Sequence, residues 1–183
     1  IARLAHLKKL RDSDPILSRS ITGWHVEGPF LSSEPVFRGA HDNEVMRDPT
    51  TADIDRIRET LADDPVLLTF APERDGAIAA IKRATELGMQ VSLGHCNPSE
   101  EDLEAAKEAG ATAFTHLGNG CPQELDRHNS FMWRVLDSGG LLCGLIPDRI
   151  HVRPPFFRVL HRILGPKNIY YTTDAMSAAG APV

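Results

Sequence analysis

Four residues stand where short apolar runs end. Glu27 follows Ile21–Val26, His95 follows Met89–Leu93, His116 follows Ala111–Thr115, and Asp174 follows Asn168–Thr173. Two imidazoles and one carboxylate make a zinc-type ligand set that leaves a position open for water. A further carboxylate beside that water can act as general base. The chemistry is then metal-assisted hydrolysis. His95 and His116 lie 21 residues apart, the length of one strand–helix unit. The same spacing also fits blander roles. Glu27 could cap the turn before Pro29, and His95 could be a polar loop residue. His116 precedes the turn former Gly118-Asn119-Gly120, and Asp174 could cap a helix.

Something must bring these residues together. Six β-rich apolar runs recur along the chain: Ile21–Val26, Pro65–Phe70, Met89–Leu93, Ala111–Thr115, Gly140–Ile146 and Asn168–Thr173. Several are near-continuous, as parallel strands buried on both faces are. Helical patterns lie between them. Gly76–Leu87 places Ala77, Ile78, Ile81, Ala84 and Leu87 on one face, Ser99–Ala109 opens with Ser99 and Asp102 as a capping box, and Pro155–Leu164 precedes Gly165 and Pro166. The chain opens in a helix with Leu4, Leu7 and Leu10 on one face, and Ser32–Pro35 reads as a long loop. Trp24, Trp133, Phe156 and Phe157 read as core or helix-face packing.

An alternation of strand and helix predicts an α/β fold. Both an open doubly wound sheet and a closed (β/α)8 TIM-type barrel accept it. No glycine-rich dinucleotide loop opens a helix. The polar residues cluster just after the strands, at the face where barrels build active sites. The expectation is therefore an incomplete barrel of about six βα units. Residues 1–183 would form a single catalytic barrel domain lacking material at both ends.

Composition narrows the function classes. A net charge of −5 and a pI near 5.9 give no electrostatic footprint for nucleic acid or an anionic membrane. No apolar run approaches the roughly 20 residues of a membrane span, and Ile1–Arg11 does not read as a signal peptide. The three cysteines, Cys96, Cys121 and Cys143, form no C-x-x-C pair, which points to a reducing compartment, the cytoplasm.

Five motifs together carry a resemblance. They are His25-Val26-Glu27-Gly28-Pro29-Phe30-Leu31, Ser92-Leu93-Gly94-His95, Ala111-Thr112-Ala113-Phe114-Thr115-His116-Leu117 with Asn119, Asp148-Arg149-Ile150-His151-Val152, and Thr173-Asp174-Ala175. In order and spacing this set resembles the N-acetylglucosamine-6-phosphate deacetylase family of the amidohydrolase superfamily, from about Ile21 to Gly180. The resemblance implies a (β/α)8 barrel with a small β-sandwich built from both chain termini. It implies metal-dependent hydrolysis of the acetamide of N-acetyl-D-glucosamine 6-phosphate to glucosamine 6-phosphate and acetate, by a metal-bound hydroxide. Glu27, His95 and His116 would hold the divalent metal, usually zinc, as one or two ions. Asp174 would be the catalytic acid/base. His41 would be a catalytic donor to the oxyanion and contact substrate. Ala40, Asn119, Gly120, Arg127, Asp148 and His151 would complete the phosphosugar site. A homodimer is implied, because in such enzymes part of this site can come from a neighbouring subunit.

The sequence departs from the family at the substrate side. Cys121 follows Gly118-Asn119-Gly120, where the family often has an aromatic before the asparagine and Ala-Met after it. Arg149 replaces a glycine, His128-Asn129-Ser130 replaces the usual Glu-Pro-Gly, and Cys96 stands where serine is common. These changes leave a second reading open, an amidohydrolase with the same metal centre acting on N-acetylgalactosamine 6-phosphate or another amide. A third reading is a non-catalytic phosphosugar-binding barrel.

Overall fold

The computed structural model describes residues 1–176 and 179–180. Every predicted strand is present: β1 (Trp24–Glu27), β2 (Val66–Phe70), β3 (Gln90–Leu93), β4 (Ala113–Phe114), β5 (Leu142–Leu145) and β6 (Ile169–Tyr171). All five pairings are parallel, and the order is β1-β2-β3-β4-β5-β6. A doubly wound sheet reverses its strand order at a switch point. This sheet never reverses, so it is singly wound, as a barrel wall is.

The helices are α1 (Ala2–Ser13), α2 (Pro15–Ser20), α3 (Pro35–Arg38), α4 (Thr51–Leu61), α5 (Ala77–Glu86), α6 (Glu100–Glu108), α7 (Phe131–Ser138) and α8 (Pro154–Leu164). The α6 start forms as read, with Ser99 and Asp102 exchanging capping bonds. Thr50 and Asp53 build the same box for α4, which the sequence reading missed. Among the described residues, no helix is long and apolar enough to cross a membrane.

One face of the sheet carries the core. Leu68 and Phe70, Val91 and Leu93, Phe114, Cys143 and Leu145 are buried against Ile54, Leu61, Ile81, Leu103, Val135 and Leu160 of the helices. The other face is polar, contrary to the expectation of strands apolar on both sides. The hydroxyls of Thr69, Thr115 and Ser92 form a buried row at 2.8 and 2.7 Å, and His25 Nε2 joins Thr69 at 2.8 Å. Tyr170 on β6 crosses β5 at Gly144 toward Thr115 and Ser92, and a Cβ on Gly144 would lie 2.6 Å from the tyrosine ring. The ring can lie across that strand because Gly144 has no side chain.

Helix α1 forms where predicted, but Leu7 and Leu10 are each 46% exposed and only Leu4 packs on the core. Charge anchors the helix. Arg11 and Lys8 both donate to Asp64, which also accepts from Trp24 Nε1, and the Arg11 guanidinium lies over the Trp24 ring. Trp133 is half exposed rather than buried. Its indole N–H donates to the Arg127 carbonyl, the polar contact an indole seeks.

Candidate metal centre

The ends of β1, β3 and β4 converge on three atoms. Glu27 Oε1 lies 3.0 Å from His95 Nε2 and 2.9 Å from His116 Nε2, and the two imidazole nitrogens are 3.0 Å apart. The histidines turn out of their strands with left-handed backbone, at φ 50° for His95 and 32° for His116. Non-glycine residues rarely adopt this region, and where they do the strain concentrates at functional sites. His95 and His116 are buried, and Glu27 is mostly so.

The hydrogen bonds fix what His95 can offer. Its Nδ1 lies 2.8 Å from the Phe37 carbonyl. A carbonyl only accepts, so Nδ1 carries the proton. In the neutral ring, Nε2 then presents a lone pair to a carboxylate oxygen 3.0 Å away. That arrangement calls for a cation between them. Among the described residues, the buried Nδ1 of His116 has no hydrogen-bond partner.

The donor set fits a divalent metal. Two histidines and one glutamate are the ligands of a catalytic zinc site, and donors around a tetrahedral zinc are about 3.3 Å apart. The observed separations are close to that before any relaxation. Fixing the tautomer through a carbonyl is the outer support that metal-ligating histidines normally have.

Other site residues gather at His95. The His41 ring meets the His95 ring edge-on, with centroids 4.7 Å apart. Burial lowers the His41 pKa and the neighbouring His95 lowers it further. The long loop that carries His41 is tied down by Arg47 on Asp53, by Arg74 on the Leu31 carbonyl, and by Ser32 N on the His95 carbonyl. Asn119 folds back on the His116 carbonyl through its backbone N–H.

Two glycines line the His95 ring. A Cβ on Gly120 would lie 2.6 Å from Nδ1, and one on Gly39 would lie 2.9 Å from Cε1. Gly120 is also left-handed, at φ 59°. Gly120→Ala must therefore push the ring off the Phe37 carbonyl. Affinity for a divalent metal is expected to fall about 10- to 100-fold, as it does on loss of an outer-shell partner. Competition with a chelator measures this, and an unchanged affinity would refute it.

The remaining predicted residues lie outside this cluster. Asp174 is exposed and left-handed at φ 46°, and its backbone N–H is bonded to Thr172 Oγ1. Its charge reaches His25 and His41. Asp148 and His151 pair with each other at 2.7 Å on an exposed turn, and that bond lowers the Asp148 pKa to about 2. Arg127 and Ala40 are exposed. Two features escaped the sequence reading. The Phe37 carbonyl has no side-chain signature at all. Glu73, just past β2, is the strand-end acid that was passed over, and its carboxylate accepts from Asn97 N.

No protein-family model matches the chain. The N-acetylglucosamine-6-phosphate deacetylase of Danio rerio is 32% identical over 169 residues, covering 88% of this chain and 41% of that protein. The N-acetylgalactosamine-6-phosphate deacetylase of Shewanella sp. (strain ANA-3) is 36% identical over 162 residues, covering 88% and 40%. A solved mutant of the Mycobacterium smegmatis N-acetyl-D-glucosamine-6-phosphate deacetylase, in complex with N-acetyl-D-glucosamine-6-phosphate, aligns with a TM-score of 0.84 at 32% identity, over 98% of this chain and 45% of that one. This chain is homologous to the amino-sugar-phosphate deacetylases. It spans less than half the length of the relatives it matches. Its six parallel strands form a half-barrel matching part of the deacetylase structure.

Proposed function

We propose that this chain carries the metal centre of an amidohydrolase that deacetylates N-acetyl-D-glucosamine 6-phosphate. The observation that carries the reading is the His95 Nε2 lone pair aimed at Glu27 Oε1, with His116 Nε2 completing the set. Glu27, His95 and His116 would hold zinc, as one or two ions. When bound, the cation polarises an amide carbonyl and lowers the pKa of water toward ~7. Asp174 takes the proton of the attacking water and delivers it to the leaving amine. The C–N bond breaks, and acetate and the amino-sugar phosphate leave. His41, held against His95, donates to the developing oxyanion. The Asn119 side-chain amide and the Gly120 backbone N–H, with Arg127 and His151, take the phosphate. Ala40 and Asp148 complete the substrate side, where Asp148 orients His151.

The reading places residues 1–183 in one catalytic (β/α)8 barrel domain. It also places the protein in the cytoplasm as a homodimer, with a phosphosugar as its partner and neither nucleic acid nor membrane. Three free cysteines, two of them buried, agree with a reducing compartment. A second reading, N-acetylgalactosamine 6-phosphate as substrate, is supported by the Shewanella relative and by the departures at Cys121 and Arg149. Comparing kcat/KM on the two phosphosugars and on phosphate-free N-acetylglucosamine decides between them. The proposal expects the glucosamine phosphate to lead. A preference for the galactosamine phosphate would select the second reading, and bound zinc with no turnover on any of them would leave a binding protein.

A further inference from the structure

Arg134, half-buried in the first turn of α7, is used by nothing in the chemistry above. Its guanidinium nevertheless holds three acceptors on two loops. Nε donates to the Pro98 carbonyl at 2.7 Å and Nη2 to Asn97 Oδ1 at 2.8 Å, three and two residues past His95 respectively. Nη1 donates to Asn129 Oδ1 at 2.6 Å, two residues past Arg127.

Both loops are fixed at their other ends. Asn97 N donates to Glu73 Oε1 at 2.8 Å, which ties the His95 loop to the end of β2. Asp126 Oδ1 accepts from the backbone of His128 and Asn129 and closes the turn around Arg127. Trp133, beside Arg134, donates to the Arg127 carbonyl at 3.1 Å. Asp126 is thus engaged by backbone rather than by its neighbour Arg127. Arg127 lines a cleft of about 360 Å³ with Gly118, Cys121 and Phe156. That cleft borders the Asn119–Gly120 turn against which His95 packs.

We propose that Arg134 is a positioning residue for substrate specificity: it sets the Arg127 turn against the His95 loop, so that a phosphate held by Arg127 registers with an amide at the metal centre. The inference rests on Arg127 being the phosphate-binding cation, as proposed above. A planar guanidinium suits the task because its donors diverge at fixed angles, which a lysine ammonium does not reproduce.

Arg134→Gln is expected to raise KM for N-acetylglucosamine 6-phosphate about tenfold or more, with kcat within about threefold and zinc content unchanged, the pattern of lost uniform binding. On an Arg127→Ala background the same substitution is expected to add less than about twofold, because residues acting through one contact are not additive. Asn129→Ala removes one arm only, and is expected to show the same split in smaller degree should Arg134→Gln not fold. A parent-like KM in the folded variants, or effects of Arg127 and Arg134 that simply multiply, would overturn the proposal. Failure of the underlying reading looks different: the parent protein would then bind phosphorylated and phosphate-free sugars equally.

Discussion

His116→Ala protein, loaded with zinc and dialysed, is expected to retain no stoichiometric metal. The reason is geometric. Three donor atoms lie within 3.0 Å of one another, and His116 supplies one of the two imidazole nitrogens. Loss of an outer-shell partner already costs about 10- to 100-fold in affinity, and loss of a direct ligand costs more. Glu27→Gln should behave alike, because the amide brings no charge to balance the cation. Elemental analysis beside circular dichroism separates metal loss from unfolding. Folded His116→Ala protein with parental zinc content would end the ligand assignment.

Asp174→Asn is the second large effect, and it falls on turnover alone. Asp174 is exposed, and what anchors its position is its backbone N–H on Thr172. An isosteric amide there disturbs no packing, so stability should stay within about 0.5 kcal/mol, as for exposed positions generally. Asparagine cannot accept and return a proton. Turnover should fall by about 10²- to 10⁴-fold, the usual contribution of a positioned acid/base, with metal content intact. Steady-state acetate release from the zinc-loaded variant measures it. Near-parental kcat would remove the acid/base role.

Much of the frame was legible because buried strands need apolar runs and turns need punctuation. Five of the six strands lie inside the runs read from sequence, β1 runs one residue past its run to include Glu27, and the β3 and β4 ends deliver His95 and His116 as expected. What escaped reading depends on groups distant in the chain. The Phe37 carbonyl that sets the His95 tautomer is 58 residues from it and is a backbone atom, invisible to residue type. Gly120 reads as a turn glycine, whereas the structure adds a second demand, room for the His95 ring. The apolar runs also concealed Thr69, Ser92 and Thr115. A single hydroxyl barely interrupts a hydrophobic stretch, yet the three share one face. The leucine stripe of α1 failed as a guide to burial because Lys8 and Arg11 anchor that helix through Asp64. Asp174 was legible as a strand-end acid, but its side chain joins no metal-type cluster among the described residues.

The most direct test of the central claim is acetate release from N-acetylglucosamine 6-phosphate by the full-length protein, with zinc and after chelation. Release that stops with chelator and returns with zinc is the predicted result. Acetate release that chelation does not touch would contradict a metal centre at Glu27, His95 and His116. The absence of release from protein shown to hold zinc would leave the metal centre standing and remove this substrate from the account.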